Sequence, residues 1–257
     1  MVSGGSLLEL KCPSSLVRST EQQVSFARTL GGKRKGFVRK GGRRAWSVDV
    51  SVARPGEVST LEAVARGLGP YGWYPPEAVR GNLLSPQASS FEVTPTSATR
   101  AGLVQLPDGT VAETVVHSGS TQVYPGAAHG SHERVPVHPG GEVSVGVWAL
   151  GGAGMSMGWR DAQGTLQSTT TVPAKPGTGW QWFTATATAP ASAAFMSLGL
   201  TGGAQYARPS VTWGVTARDE LGTGCPLAVI HSPSHTPVAL WEGANYTATS
   251  YTVTEVG

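Results

Sequence analysis

With 257 residues, 39% hydrophobic and 14% charged, the chain is long enough for one large or two ordinary domains. Its 35 Gly and 18 Pro follow no fixed period, which excludes collagen. Scarce Glu and Lys exclude a coiled coil, and eight Trp among many β-branched residues exclude a disordered chain. The net charge of +3 is unevenly spread: residues 1–85 carry 13 Lys or Arg against 6 Asp or Glu, and residues 86–257 carry 6 against 10.

The N-terminal stretch MVSGGSLLELKCPSS lacks a basic segment followed by a long apolar one, so no signal peptide is expected. No run approaches ~18 consecutive apolar residues, so no membrane-spanning helix is expected. Leu7–Cys12 and Gln22–Leu30 are predicted strands. Lys35–Lys40 and Arg44–Ala53 follow after Gly-Gly turns, the last with Trp46, Val48, Val50 and Val52 on one face. Pro55 then opens a predicted helix whose Leu61, Val64, Ala65 and Leu68 recur at helical spacing, with Gly67 or Gly69 as the stop. The segment PYGWYPPEAVRGNLL reads as loop with a little structure. The Pro and small polar residues of LLSPQASS suggest a linker near Ser85–Ser90.

Beyond it the chain is nearly all strand and turn, at the short spacing of a β-sandwich. Val143, Val145, Val147 and Ala149 alternate with Ser144, Gly146, Trp148 and Leu150. The expected organisation is a mainly β chain: an N-terminal domain over residues 1–88 with one helix, a sandwich over 89–222, and C-terminal strands over 223–257 available to complete the first domain.

Three motifs suggest chemistry, but their surroundings do not support it. Gly67–Gly72 matches G-x-G-x-x-G but ends a helix, whereas a dinucleotide fingerprint opens one. Gly154–Gly158 matches G-x-S-x-G around Ser156, yet a predicted strand, not a helix, follows it. His117, His129, His132, His138, His231 and His235 lie in or near Gly/Ser/Pro loops without a second set of ligands close in sequence, so no metal and no cofactor are expected. Cys12 and Cys225 are either two separate buried thiols or one bridge drawing the C-terminal segment back to the first strand.

Two clusters carry more weight. Arg28, Lys33, Arg34, Lys35, Arg39, Lys40, Arg43 and Arg44 fall within 17 residues free of acids. Such a patch serves a subunit or partner interface, a solvated face, or DNA. With Phe37 as its one interleaved aromatic, an assembly interface is favoured over DNA contact. Trp148, Trp159, Trp180 and Trp182 are candidates for a carbohydrate platform, because indole faces stack on the C–H faces of sugars. Trp180 and Trp182, two apart, share a face of one strand.

The stretch TLGGKRKGFVRKGGRRAWSVDVSVARPGEVSTLEAVARG, followed by RGNLLSP, resembles the N-terminal part of minor tail proteins of long-tailed phages infecting actinobacteria, which are akin to distal tail proteins. The stretch from HPGGEVSVGVWAL to SLGLTGG resembles the jelly-roll modules of such proteins, similar to carbohydrate-binding modules, and the closing SYTVTEVG resembles their terminal strand. This resemblance implies a virion structural protein, made in the host cytoplasm. It would have a tail-tube-like sandwich with a helix, a ring of copies (commonly a hexamer) joining the tail-tube protein to other tip proteins, and an outward jelly roll able to touch host glycans. A free carbohydrate-binding or adhesion module is the alternative.

Overall fold

The computed structural model describes residues 2–3, 6–7, 13–21, 24–28, 34–38, 43–67, 71–95, 97–117, 122–126, 133–214, 216–241 and 244–256. Its elements in chain order are β1 (Val2–Ser3), β2 (Ser6–Leu7), β3 (Ser15–Glu21), β4 (Val24–Arg28), β5 (Arg34–Val38), β6 (Arg43–Ala53), α1 (Pro55–Arg66), β7 (Tyr71–Trp73), α2 (Pro76–Arg80) and α3 (Pro86–Ser89). These are followed by β8 (Ala98–Gln105), β9 (Val111–His117), β10 (Val135–Pro136), β11 (Glu142–Leu150), β12 (Ala153–Arg160) and β13 (Leu166–Lys175). The last are β14 (Trp180–Thr188), β15 (Phe195–Thr201), β16 (Gln205–Trp213), β17 (Cys225–Trp241) and β18 (Ala244–Glu255). The protein is mainly β, with β-sandwich sheets. None of the described helices is long and apolar enough to cross a membrane.

The chain forms two compact units. The larger holds residues 1–8 and 72–226, and the smaller holds residues 9–71 and 227–257. In the smaller unit the strands run in the order β17-β18-β6-β3, all antiparallel. Its core is a set of cross-strand pairs: Trp46 faces Val253, Val48 faces Tyr251 and Val50 faces Thr249. Trp46 and Val253 are fully buried. Strict alternation places Val52 on this same face, yet it is 37% exposed. A bulge explains the difference. Thr247 pairs with Ala53 and Thr249 with Val50, so two residues of β6 stand opposite Ala248, and Ala53 takes the inward place. The strand β3 is not among the elements the sequence predicts; it pairs with β6 along seven residues.

Helix α1 starts where its residues predict. Pro55 fits the first turn, and the Arg54 N–H donates to Glu57 Oε2 at 2.7 Å. Leu61 is its buried residue, while Val64 and Ala65 are only half-buried; Leu68 and Gly69 lie outside the described residues. Burial pushes the Tyr251 phenol up to about 12. Its folded value lies above the unfolded one, so this contribution is intact below pH 10 and is lost as pH rises through 12. The expected loss from this group is about 2–3 kcal/mol between those limits, read by chemical denaturation, and Tyr251→Phe should remove that share of the slope while the raised Tyr74 and Tyr206 phenols keep theirs.

The larger unit is a sandwich of two antiparallel sheets, β10-β15-β12-β13 and β14-β11-β16-β9-β8. Val143, Val145, Val147 and Ala149 of one sheet and Met155, Met157, Trp159, Met196, Leu198 and Leu200 of the other fill its centre. The stretch read as a linker belongs to this core. Leu83, Leu84, Ser85, Ala88 and Ser89 are all at most 1% exposed. Its polarity is satisfied internally. Asn82 Nδ2 donates to the carbonyls of Pro209 (3.1 Å) and Glu220 (2.9 Å), while its Oδ1 accepts from the N–H groups of Leu84 and Val211. The buried Glu133 carboxylate accepts from the Ser85 N–H and hydroxyl at 2.7 and 2.5 Å. Small polar residues here anchor backbone instead of freeing it. The little structure expected in the preceding loop segment is β7 and α2.

Candidate functional site

The outer face of the five-stranded sheet brings three of the four candidate tryptophans together. Along β11 the valines point inward, so Ser144, Gly146, Trp148 and Leu150 point outward. The register places Trp182 directly opposite Trp148 and Trp180 opposite Leu150, all on one face. The Trp148 and Trp182 rings lie 5.9 Å apart, tilted by 55°. Gly146 determines how Trp182 lies. A Cβ at this position would collide with Trp182 Cζ2, so the missing side chain lets the indole recline diagonally across β11. Trp148 and Trp180 both pack, half-buried, on a small cluster of Leu106, Ala112 and Ala207. Trp159 is not part of this face. It is 1% exposed between the sheets, with Nε1 donating to Thr170 Oγ1 at 2.8 Å, because β12 is a central strand whose odd positions point inward.

The sequence shows no polar cluster near these tryptophans, but the fold assembles one. In the β11–β16 pairing, Gly146 faces Ser210 and Trp148 faces Ala207, so Arg208 and Pro209 together oppose Val147. Within this bulge Arg208 takes a positive φ of 49°, uncommon outside glycine. Its Nε lies 3.0 Å from Asp219 Oδ1, Nη1 donates to Thr110 Oγ1 at 2.9 Å, and Nη2 donates to the Asp219 carbonyl at 3.1 Å. Asp108 Oδ2 is 3.6 Å from Nη1. Trp148 Nε1 donates to Asp219 Oδ2 at 2.5 Å. Burial raises the Asp219 carboxyl, an effect opposed by the Trp148 hydrogen bond and by Arg208. Asp108 is lowered, first by its hydrogen bonds from Thr110.

The stretch after β16 runs back over half of this face. Ser144 Oγ donates to the Gly214 carbonyl (2.6 Å), Thr212 Oγ1 donates to the Thr216 carbonyl (3.1 Å), and Ala217 stands above Gly146. The other half, with Trp148, Trp180, Trp182, Leu150, Thr184 and Gln205, remains accessible. Chemically the surface offers stacking faces beside hydroxyl and carboxylate groups. Positions 108, 148, 182, 208 and 219 are too far apart in sequence for any local pattern to have grouped them.

The remaining candidates fall elsewhere. Arg28, Arg34 and Lys35 lie on the paired strands β4 and β5, with Arg28 opposite Arg34, while Lys33, Arg39 and Lys40 lie outside the described residues. Arg43 is exposed. Arg44 is not available as a surface cation. It is 7% exposed, bonded by Nε and Nη2 to the Glu255 carboxylate at 2.9 and 2.8 Å, and stacked 5.1 Å over Trp46. Ser156 is buried mid-strand in β12, donating to Gln122 Oε1 at 2.7 Å, a place with no strand-to-helix elbow.

The histidines are dispersed. His138 meets Trp213 edge-on, His231 Nε2 bonds Thr254 Oγ1, and His235 Nε2 lies 3.5 Å from Glu62. His129 and His132 lie outside the described residues, as does Cys12, while Cys225 is buried. Among the described residues no three His, Cys, Asp or Glu gather as metal ligands.

No family model matches the chain, and no curated protein matches it. Among solved structures, it is similar to the enzymatically active domain of tailspike protein 4 of bacteriophage CBA120, with 14% identity and a TM-score of 0.37 over 52% of this chain and 21% of that one. It is also similar to a two-module structure of Clostridium thermocellum endo-1,4-β-D-xylanase 10B complexed with xylohexaose, with 14% identity and a TM-score of 0.36 over 52% of this chain and 29% of that one. A third similar structure is a carbohydrate-binding module of Cellvibrio mixtus lichenase 5A, with 15% identity and a TM-score of 0.28 over 46% of this chain and 91% of that one. The chain thus spans about a fifth of the tailspike domain and under a third of the xylanase.

Proposed function

We propose that this chain is a non-catalytic structural component of a phage tail tip. The smaller unit associates with copies of itself and with neighbouring tail proteins, and the sandwich contacts glycans of the host surface. The observation that carries this reading is the connectivity. The chain leaves the smaller unit after residue 71, builds the whole sandwich, and returns at residue 227 to pair β18 with β6 inside the first sheet. A sheet assembled from the segments on either side of a long insertion is a carrier, and a complete sandwich formed by that insertion is a displayed module. The resemblance of the N-terminal segment to minor tail proteins supports the assignment to a virion.

The glycan-contacting role rests on the Trp148, Trp180 and Trp182 face, and it also suits the second reading, a free carbohydrate-binding module. Mass in solution separates the two: a tail component gives a multimer, a lone module a monomer. On a polysaccharide panel, Trp182→Ala should weaken binding about tenfold or more, with thermal unfolding little changed. Binding that survives Trp182→Ala in full, or no binding to any polysaccharide, would remove the glycan role.

A further inference from the structure

The four edge strands that the described residues give the sandwich are not alike. β10 pairs with β15 through two residues. The pairing of β13 with β12 shifts register near both ends, and β13 carries Pro173 and Lys175. β8 has a shift at Arg100–Gly102, and Arg100 lies 3.0 Å from Glu113. Short length, bulges, proline and charge all keep an edge from pairing with another chain. β14 has none of them. It pairs with β11 over nine consecutive residues without a shift, and its sequence WQWFTATAT contains no proline and no charge. Among the described residues no strand pairs with its other side, so a row of backbone N–H and C=O groups faces outward there.

The core also stops short at this edge. Of the inward-pointing residues of β14, Phe183 is buried, but Ala185 and Ala187 are half-buried and Gln181 is exposed. Side-chain size is graded along the strand: its aromatic rings all fall within residues 180–183, and only Thr and Ala follow. An antiparallel copy centred on Thr184 therefore sets large against small on both faces. Trp180 meets Thr188, Trp182 meets Thr186, Phe183 meets Ala185, and Thr184 meets its own counterpart. The Trp–Thr and Thr–Thr pairs are of the kinds that favour a sheet. A parallel copy would set indole against indole and leave Ala beside Ala. This self-complementarity, with no charge to repel, selects a second copy of the same strand.

We propose that two copies join through β14, antiparallel about a two-fold axis at Thr184, so that two five-stranded sheets run on as one. The contact lies on the sandwich and is separate from the association proposed for the smaller unit. Residues opposite one another across a ladder point to the same side, so both Trp180–Trp182 faces lie on one side of the joined sheet. Each Trp182 stands four residues from the position opposite its counterpart, which puts the two about 14 Å apart. One glycan chain can then engage both faces, and the second contact adds avidity to the first. That consequence rests on the glycan role proposed above, whereas the pairing does not.

The test uses the full chain at about 0.1 mM. Thr184→Glu or Thr184→Lys alone sets like charges opposite one another. Each should weaken pairing about fivefold, read as a fall in native mass towards half the parent value with the circular dichroism spectrum unchanged. The two variants mixed in equal amounts should restore the parent mass. Thr184→Cys, mildly oxidised, should give a disulfide-linked dimer on a non-reducing gel beyond any given by the parent chain. Thr188→Cys, about 27 Å from its counterpart, should not. A parent mass retained by both charge variants, with no cross-link through Thr184→Cys, overturns this contact and leaves association through the smaller unit standing. A monomeric parent chain overturns both.

Discussion

Trp159→Ala should destabilise the sandwich by about 3–5 kcal/mol, the usual cost of removing a fully buried tryptophan from a core. It stands opposite Met196 within the sandwich core, and its Nε1 has a defined partner in Thr170. Truncation thus leaves both a cavity and an orphaned hydroxyl. Urea unfolding followed by tryptophan fluorescence measures the loss. Where the variant remains folded, its affinity for any polysaccharide should equal that of the parent chain, since Trp159 reaches no surface. Trp182→Ala should show the opposite pattern, with affinity falling and the unfolding midpoint nearly unmoved. If Trp159→Ala instead cost binding without stability, the face described above would be misplaced on the sandwich.

The contrast between these two tryptophans shows what a sequence discloses and what it conceals. Period-two alternation located β6, β11 and β14 and made the mainly β class legible, because side chains of a strand must alternate between core and solvent whatever the topology. It placed Trp180 and Trp182 together for the same reason. It could not say which sheet Trp159 joins, or that Trp148 and Trp182 are register partners, because pairing is decided by contacts distant in sequence. The polar groups beside the indoles were hidden for that reason too: Arg208 meets residues 108, 110 and 219 only because a bulge turns it outward. Composition misled at Leu83–Ser89, where Pro and Ser suggest a solvated linker. The burial of that stretch depends on Asn82 and Glu133, whose partners lie up to 138 residues away. Arg44 is legible from strand parity alone. It precedes Trp46 by two and therefore points to the same inner face, although it lies within a run of basic residues whose composition suggests a charged surface.

That parity yields the sharpest expectation for the smaller unit. Glu255→Gln should destabilise it by about 3 kcal/mol, because the Arg44 guanidinium, 8% exposed at its side chain, would keep its burial and lose its counter-charge. The two carboxylate oxygens accept from Nε and Nη2 in a forked arrangement, and Oε2 also accepts the Arg44 backbone N–H at 3.2 Å, so one substitution disturbs three bonds. Glu255 belongs to the last strand and Arg44 to β6, so the loss should appear as faster amide exchange along both strands, with the sandwich unaffected. Arg44→Met combined with Glu255→Leu should recover most of the stability, since an apolar pair in the same space carries no desolvation penalty. Arg43→Glu supplies the comparison: its exposed side chain should leave exchange rates unchanged and alter self-association if the basic hairpin is an assembly surface. An Arg44→Met/Glu255→Leu chain that is fully stable but unable to associate would mean that the pair serves the interface and not the sheet.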